Sequence, residues 1–221
     1  PYLFSPGIEK MKELIASGEI GTPLFIESNR ANLGIFQPDV SVLYDLAVHD
    51  LSILDFCFPD QKINSISCKL ENPINHVTDS VANLNIRYLN GFSANITCNW
   101  LSPIKIRRLL IVGTKAALLY DDTQSIEKLK IYNQEITTNF SNKTDRIEKL
   151  ISYRTGDIVV PKLSPLEPLQ RAVNYFHDCI INDTPGKNEL VNQIQIMEQL
   201  EIASISANNS GNLIFWEMKN D

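Results

Sequence analysis

One cluster of residues in the sequence has the types and the spacing for acid–base chemistry. Asp45, His49 and Asp50 lie within the segment YDLAVHDLSIL, residues 44–54. On a helix, positions 45 and 49 share one face, one turn apart. A carboxylate there can hold an imidazole in one tautomer and raise its basicity, which suits a general base for a substrate hydroxyl. The same spacing also fits a helix-capping aspartate beside a surface histidine, and spacing alone favours this second interpretation.

The other histidines and the cysteines give no second candidate site. His76 is predicted in a polar loop and His177 at the polar boundary of a helix, so neither is assigned a catalytic role. The cysteines, at positions 57, 68, 98 and 179, contain no CxxC pair and match no zinc-binding spacing, so we predict no metal site. Three of them lie in apolar runs, where a reduced thiol packs as a small hydrophobe. This usage indicates a reducing, cytoplasmic location.

Nucleotide-binding and hydrolase motifs are absent from the sequence. It has no GxGxxG, P-loop or GxSxG, and its nine glycines are scattered. We therefore expect no self-contained nucleotide-binding domain. The formal net charge of −6 argues against a nucleic-acid partner, which needs a basic stripe. The local basic cluster of Lys105, Arg107 and Arg108 is more typical of a solvated strand edge than of a phosphate site.

Length and composition predict one globular domain, residues 1–221. Apolar residues make up 43 % and charged residues 21 % of the chain, which suffices for a substantial core. The longest apolar stretches, residues 109–112 and 116–120, are far below the ~20 residues that span a bilayer, so no membrane partner is expected. Residues 137–155 are polar, charged and without a clear period, which predicts a mobile insertion.

The candidate site is expected on a helix near the start of the chain. An apolar stripe bounded by Ser5 and Gly18 predicts a first helix. Residues 23–29 predict a strand, and residues 42–56 predict the helix that carries His49. Further strands are predicted at residues 63–69, 104–112, 115–120 and 127–132, and two helices near 169–180 and 190–200 close the chain.

Two alternating segments on either side of Asn90 predict a hairpin with one apolar face. A two-residue loop would place their apolar residues on opposite faces. A three-residue loop, residues 89–91, instead pairs Tyr88 with Phe92 and puts Gly91 at the left-handed position. The order of elements then predicts an α+β fold, with an open, mainly antiparallel mixed sheet and helices on one face.

The other side of this hairpin is polar but uncharged. It carries amides and hydroxyls: Asn83, Asn85, Ser93, Asn95, Thr97 and Asn99. A sheet face in water normally carries more Lys and Glu. We therefore predict that this face joins another subunit in a homodimer or homotetramer.

Five segments, in order along nearly the whole chain, resemble the Gfo/Idh/MocA oxidoreductase superfamily of glucose–fructose oxidoreductase and inositol dehydrogenase. They are residues 5–21, 30–34 (RANLG), 44–54, 99–122 and 167–180. The resemblance covers only the C-terminal substrate domain of that family, a dihydrodipicolinate-reductase-like fold, with the Rossmann domain absent. Residues 30–34 and 49–54 are most similar to members that act on sugars or nucleotide sugars.

The resemblance also implies roles for individual residues. The Asp-x-x-x-His pair of the family maps onto Asp45 and His49, with His49 as the proton acceptor and Asp45 orienting the imidazole or the sugar. Arg30, Asn32 and Lys105 become candidate substrate contacts. NAD or NADP, together with the lysine of a Glu-Lys-Pro motif, would belong to the full-length parent. The chain alone is expected to bind neither cofactor and to be inactive.

Three functions remain open from the sequence. The leading one is the substrate-binding and catalytic-base domain of an NAD(P)-dependent oxidoreductase acting on a sugar or nucleotide-sugar hydroxyl. The alternative is a non-catalytic ligand-binding or oligomerisation scaffold of the same fold. An unrelated α+β hydrolase is weaker, because it needs a nucleophile near His49. A GxGxxG turn and a Glu-Lys-Pro motif encoded upstream would favour the enzyme.

Overall fold

The strands form one open sheet in the computed structural model, which describes residues 2–34, 36–133, 156–187 and 190–216. They are β1 (Pro23–Ala31), β2 (Ile63–Glu71), β3 (Val81–Tyr88), β4 (Ser93–Asn99), β5 (Ile106–Gly113), β6 (Ala116–Asp121), β7 (Leu129–Asn133), β8 (Ile158–Val159) and β9 (Ile214–Phe215). Their order across the sheet is β8-β7-β6-β5-β1-β4-β3-β2-β9. The short edge strands β8 and β9 were not predicted.

The helices lie on one face of this sheet. They are a 3₁₀ turn (Tyr2–Phe4), α1 (Pro6–Ala16), a π-helical turn (Leu43–Ala47) that continues into α2 (Val48–Cys57), α3 (Pro168–Asn182) and α4 (Leu190–Asn208). The predicted fold class is confirmed. The predicted insertion, residues 137–155, lies outside the described residues. None of the helices in the described part of the chain is long and apolar enough to cross a membrane.

Strand β1 lies at the centre of the sheet and makes it mixed. It runs parallel to β4 and antiparallel to β5, while the other neighbouring strands of the described sheet pair antiparallel. The side chains on one face of β1 point towards the helices and are buried. On β1 these inward positions include Ser28 and Arg30, both buried. Two polar side chains on an otherwise apolar inner face need partners there.

The hairpin of β3 and β4 has the predicted three-residue loop. The amide of Tyr88 donates to the carbonyl of Phe92 at 3.0 Å, and their rings stack with centroids 4.2 Å apart. Gly91 has a φ of +96°, in the left-handed region that glycine adopts without strain. This register places the apolar residues of both strands against the helices, as predicted from their alternation.

The outer face of the sheet is polar on β3 and β4 and more apolar on β5 to β7. On the polar side, the Asn85 amide donates to Asn95 at 2.6 Å. The sequence pattern indicated an uncharged surface here. Arg87 also lies on this face of β3, however, so the hairpin surface carries a positive charge. A depression of about 760 Å³ on this face is lined by apolar and aromatic side chains of β5 to β7 and by polar and charged ones of β1, β4 and β5: Leu110, Val112, Ala117, Leu119, Tyr132, Glu27, Ser28, Asn29, Asn95, Thr97 and Arg108.

Helix α3 differs from the other helices because none of its residues is buried. It contacts the start of the chain through the Phe4–Tyr175 ring pair, with centroids 5.3 Å apart, and through an Arg171–Glu9 ion pair. Its apolar side chains are exposed: Leu169, Val173, Phe176 and Ile180.

Candidate functional site

His49 lies in the first turn of α2, beside the 3₁₀ turn that opens the described chain. Its side chain is half-buried, and its ring contacts Tyr2 with centroids 5.2 Å apart and planes tilted by 56°. An imidazole in this position is shielded by an aromatic ring and still partly open to solvent. The helix predicted at residues 42–56 is therefore present and carries His49 at the surface of the domain rather than in its core.

Asp45 lies in the π-helical turn, and its hydrogen-bond partner is a tryptophan. The indole nitrogen of Trp100 donates to Asp45 Oδ2 at 3.0 Å. Trp100 follows β4 and is 1 % exposed, so it holds the Asp45 carboxylate from the core side. From the sequence, core or interface packing is the default expectation for Trp100. The one signal for this contact was the place of the tryptophan at the end of an alternating strand.

Asp45 and His49 do not hydrogen-bond to each other in the structure. A π-helical turn contains more residues than an α-helical turn, so residues four apart no longer stack directly above one another. This turn spans Leu43–Ala47 and separates the two residues. The predicted pair is thus close enough for Asp45 to raise the basicity of His49 through its charge, but it does not fix the tautomer by contact.

Below His49, Arg30 and Asp50 form a buried ion pair. Arg30 Nε donates to Asp50 Oδ2 at 2.8 Å and Nη2 donates to Oδ1 at 2.9 Å, a two-point contact. The Ser28 hydroxyl donates to the same Oδ1 at 2.9 Å. The two side chains of the ion pair are 5 % and 3 % exposed. The polar residues on the inward side of β1 therefore find their partner on α2.

The remaining guanidinium nitrogen of Arg30 reaches Tyr2. Nη1 donates to the Tyr2 hydroxyl at 2.8 Å, and the guanidinium carbon lies 4.6 Å from the centre of the ring. The same ring contacts His49. Asp50, Arg30, Tyr2 and His49 thus form a continuous chain of contacts from the sheet to the surface.

The charges around the site shift two pKa values. Burial alone would lower the pKa of Arg30, but its hydrogen bonds and its attraction to Asp50 raise this pKa overall, so the guanidinium stays charged. Burial, and secondarily the charge of Arg30, lower the pKa of His49 despite the opposing charges of Asp50 and Asp45. A lowered pKa keeps the imidazole neutral over a wider pH range. Because the unfolded chain then binds more protons, acidification through this range lowers the stability of the fold.

The other predicted substrate contacts, Asn32 and Lys105, are not hydrogen-bonded to this network. Asn32 follows β1 and is half-buried, with its backbone amide donating to the Asn99 carbonyl at 3.2 Å. Lys105 is exposed just before β5. Neither side chain hydrogen-bonds to His49 or Asp45, and their contact with a substrate stays a prediction. Arg30, the third candidate, is turned into the core rather than towards solvent.

Within the described ranges, neither a reactive thiol among Cys57 and Cys68 nor a metal-binding cluster offers an alternative chemistry to that of His49. Burial raises the pKa of Cys57 and of Cys68 to about 12, which keeps both protonated and unreactive. No group of three or more His, Cys, Asp or Glu side chains that could hold a metal ion occurs in this part of the chain. The arrangement that remains is a shielded, neutral imidazole beside a fixed carboxylate, which can accept a proton and bind a hydroxyl.

Comparison with protein families gives one match. The family described as GFO/IDH/MocA C-terminal domain matches residues 8–119, about half of the chain. This range includes β1, α2 and the hairpin. It therefore contains three members of the contact chain, Arg30, His49 and Asp50, but not Tyr2. A search of curated protein sequences finds no match.

Solved structures share the fold at low sequence identity. The levoglucosan dehydrogenase complex with NADH and levoglucosan is 15 % identical with a TM-score of 0.76, and the alignment covers 98 % of this chain and 64 % of that one. An oxidoreductase domain protein from Kribbella flavida is 15 % identical with a TM-score of 0.73, covering 97 % and 64 %. UDP-N-acetylglucosamine 3-dehydrogenase from Acidithiobacillus ferrooxidans is 15 % identical with a TM-score of 0.71, covering 89 % and 58 %. The chain thus spans less than two thirds of each of these structures.

Proposed function

Because the chain belongs to the GFO/IDH/MocA family as its C-terminal domain, we propose that it is the substrate-binding and catalytic-base domain of an NAD(P)-dependent sugar or nucleotide-sugar oxidoreductase. The observation that carries the proposal is the half-buried His49, whose lowered pKa leaves it neutral and able to accept a proton. Two structural neighbours support the substrate class. One is a levoglucosan dehydrogenase, and the other acts on UDP-N-acetylglucosamine.

In this proposal the domain binds the substrate and accepts the proton of its hydroxyl. Oxidation of a secondary alcohol removes a proton from oxygen and a hydride from carbon, and His49 takes the proton. Asp45, held by Trp100, accepts a hydrogen bond from a sugar hydroxyl and orients the ring. The geometry favours this role over an Asp45–His49 contact, because the carboxylate is already fixed by the indole.

The starts of α1, α2 and α3 do not form the pyrophosphate site that a nicotinamide cofactor requires. Pyrophosphate binding needs a glycine-rich turn at a helix N-terminus. Helices α1 and α3 begin with proline, and α2 continues from the π-helical turn. Gly7 in α1 serves packing, since a Cβ atom there would lie 2.6 Å from the Tyr120 ring. We therefore assign cofactor binding to a separate domain.

We expect the isolated chain to bind neither NAD nor NADP with a sub-millimolar dissociation constant. The physical reason is the lack of a turn that presents backbone N–H groups to a pyrophosphate. Isothermal titration of the folded 221-residue chain with each cofactor measures this directly. Saturable sub-millimolar heat with either cofactor would contradict the assignment.

The function itself is tested in a protein that joins this chain to a cofactor domain of the kind its neighbours have. A panel of sugars and nucleotide sugars is incubated with NAD or NADP, and formation of the reduced nicotinamide is followed. We expect turnover with at least one member of the panel. Tight sugar binding without any turnover would favour the non-catalytic scaffold instead.

We also propose that the outer sheet face joins two copies of the chain. Its half-buried side chains Leu110, Leu119 and Tyr132 continue into the amide and hydroxyl surface of β3 and β4. Such a mixed surface suits an isologous contact, in which the same patch meets itself.

We also propose a cytoplasmic location, because the buried free thiols Cys57, Cys68 and Cys98 fit a reducing compartment.

Leu119→Glu should convert the assembly to monomers. The substitution places a charge on the outer face of β6, twice in a symmetric interface, and leaves the core untouched. Light scattering at micromolar concentration measures the mass. Ile126→Glu is the matched control, because Ile126 is 85 % exposed in the loop between β6 and β7. A monomeric but folded wild-type chain would refute the interface.

A further inference from the structure

Tyr2 connects His49 to the buried Arg30–Asp50 pair. Each nitrogen of the Arg30 side chain has a partner: Nε and Nη2 donate to Asp50, and Nη1 donates to the Tyr2 hydroxyl. The side chain is 5 % exposed. Because the guanidinium is buried under the Tyr2 ring and paired with Asp50, a substrate could reach it only after Tyr2 moves.

The contacts fix the Tyr2 ring from two sides of the site. Its hydroxyl is held by Arg30, its face by the guanidinium at 4.6 Å, and the ring contacts the His49 ring at 5.2 Å between centroids. The ring also packs against the hydrophobic core. The hydrogen bond from Arg30 sets where the hydroxyl end of the ring lies, and the ring shields one side of the imidazole from water.

We propose that Arg30 is a positioning residue for His49, acting through the ring of Tyr2, and that Asp50 holds Arg30 for this role. The proposal deepens the proposed function and rests on His49 as the base of that reaction. The ring of Tyr2 restrains the imidazole and keeps water from its buried side. The guanidinium adds a positive charge that disfavours a second cation at His49.

Among the described residues, four groups act on or contact His49, and the positive charge at the amino terminus of the chain also lowers its pKa. Arg30 on β1 and Tyr2 on the 3₁₀ turn lie on one side, while Asp45 and Asp50 lie on its own helical segment. The two carboxylates favour the protonated imidazole and the guanidinium opposes it. The lowered pKa of His49 therefore depends on burial, to which the Tyr2 ring contributes.

The test is a titration of the imidazole signals by NMR in the 221-residue chain, which has only three histidines. His76→Gln and His177→Gln assign the remaining signal to His49. Tyr2→Leu removes the ring, and we expect the pKa of His49 to rise towards its ordinary value. Phe4→Leu is the matched control, because Phe4 belongs to the same 3₁₀ turn and contacts Tyr175 instead. It should leave the titration unchanged.

Two milder variants separate positioning from charge alone. Tyr2→Phe keeps the ring and removes the hydroxyl that Arg30 holds, while Arg30→Lys keeps the charge and loses the fork of donors. We expect each to raise the pKa of His49 by a similar amount, less than Tyr2→Leu does. The double variant should add nothing, because both changes break the same contact.

The proposal fails if Tyr2→Leu titrates like the wild type, or if Arg30→Lys folds and leaves the pKa of His49 unchanged. Additive shifts in the double variant would also overturn it. The Tyr2 variants decide the matter even where Arg30→Lys does not fold, since Tyr2 is not part of the buried pair. The titration needs no cofactor or substrate, so its outcome is independent of whether His49 acts as the base.

Discussion

We expect His49→Ala to lower kcat by about 10²–10⁴-fold, the range that general-base catalysis contributes. The measurement is made in a protein that carries this chain together with its cofactor domain, with the sugar that it oxidises. Cofactor affinity should be unchanged, because we propose that the cofactor binds to a separate domain. The variant should fold normally, since His49 is half-buried and has no hydrogen bond to lose.

The pH dependence gives a second criterion for the same variant. In the wild type, kcat/KM should fall on the acidic side as the imidazole is protonated, with a midpoint below the ordinary histidine value because the pKa of His49 is lowered. This acidic limb should disappear in His49→Ala. His177→Ala is the matched control, since His177 is exposed on α3. Near-normal turnover and an unchanged profile in the His49 variant would return His49 to the role of a surface residue.

Much of the fold was predictable because alternation along a strand reports which side is buried. The hairpin of β3 and β4 shows this best. Its register follows from the need to keep both apolar sets on one face, and Gly91 supplies the backbone conformation that the loop needs. The central place of β1 was not predictable, because pairing with β4 and β5 involves partners about 70 residues or more away in sequence.

The sequence predicts the candidate residues near the surface of the site, but not the buried side chains that hold them in place. His49 and Asp45 stand in one short segment, where spacing makes them candidates and the resemblance selects them as the site. The contacts that support them join distant positions: Trp100 reaches Asp45, and Arg30 reaches Asp50 across the strand–helix interface. Nothing local in the sequence distinguishes a buried arginine from a substrate contact. The π-helical turn is likewise invisible to a pattern that assumes 3.6 residues per turn.

The buried ion pair makes Arg30 the position where a single substitution should cost the most stability. Arg30→Met keeps an unbranched apolar side chain but removes the guanidinium, which leaves the Asp50 carboxylate, 3 % exposed, without its cation. Removing one partner of a buried pair typically costs about 3–5 kcal/mol, because the other charge stays desolvated. Urea denaturation of the 221-residue chain should show a loss of that size in the free energy of unfolding.

Two further variants show whether this loss comes from the orphaned charge. Arg108→Met breaks the Arg108–Asp121 pair, whose arginine is 56 % exposed, and should cost about 1 kcal/mol or less. Arg30→Met combined with Asp50→Leu replaces both charges with apolar groups and should recover most of the stability lost in Arg30→Met, because no carboxylate is then left unpaired. If the double variant is as unstable as Arg30→Met, the loss comes from packing around β1, and the charge pair is not what holds this strand to α2.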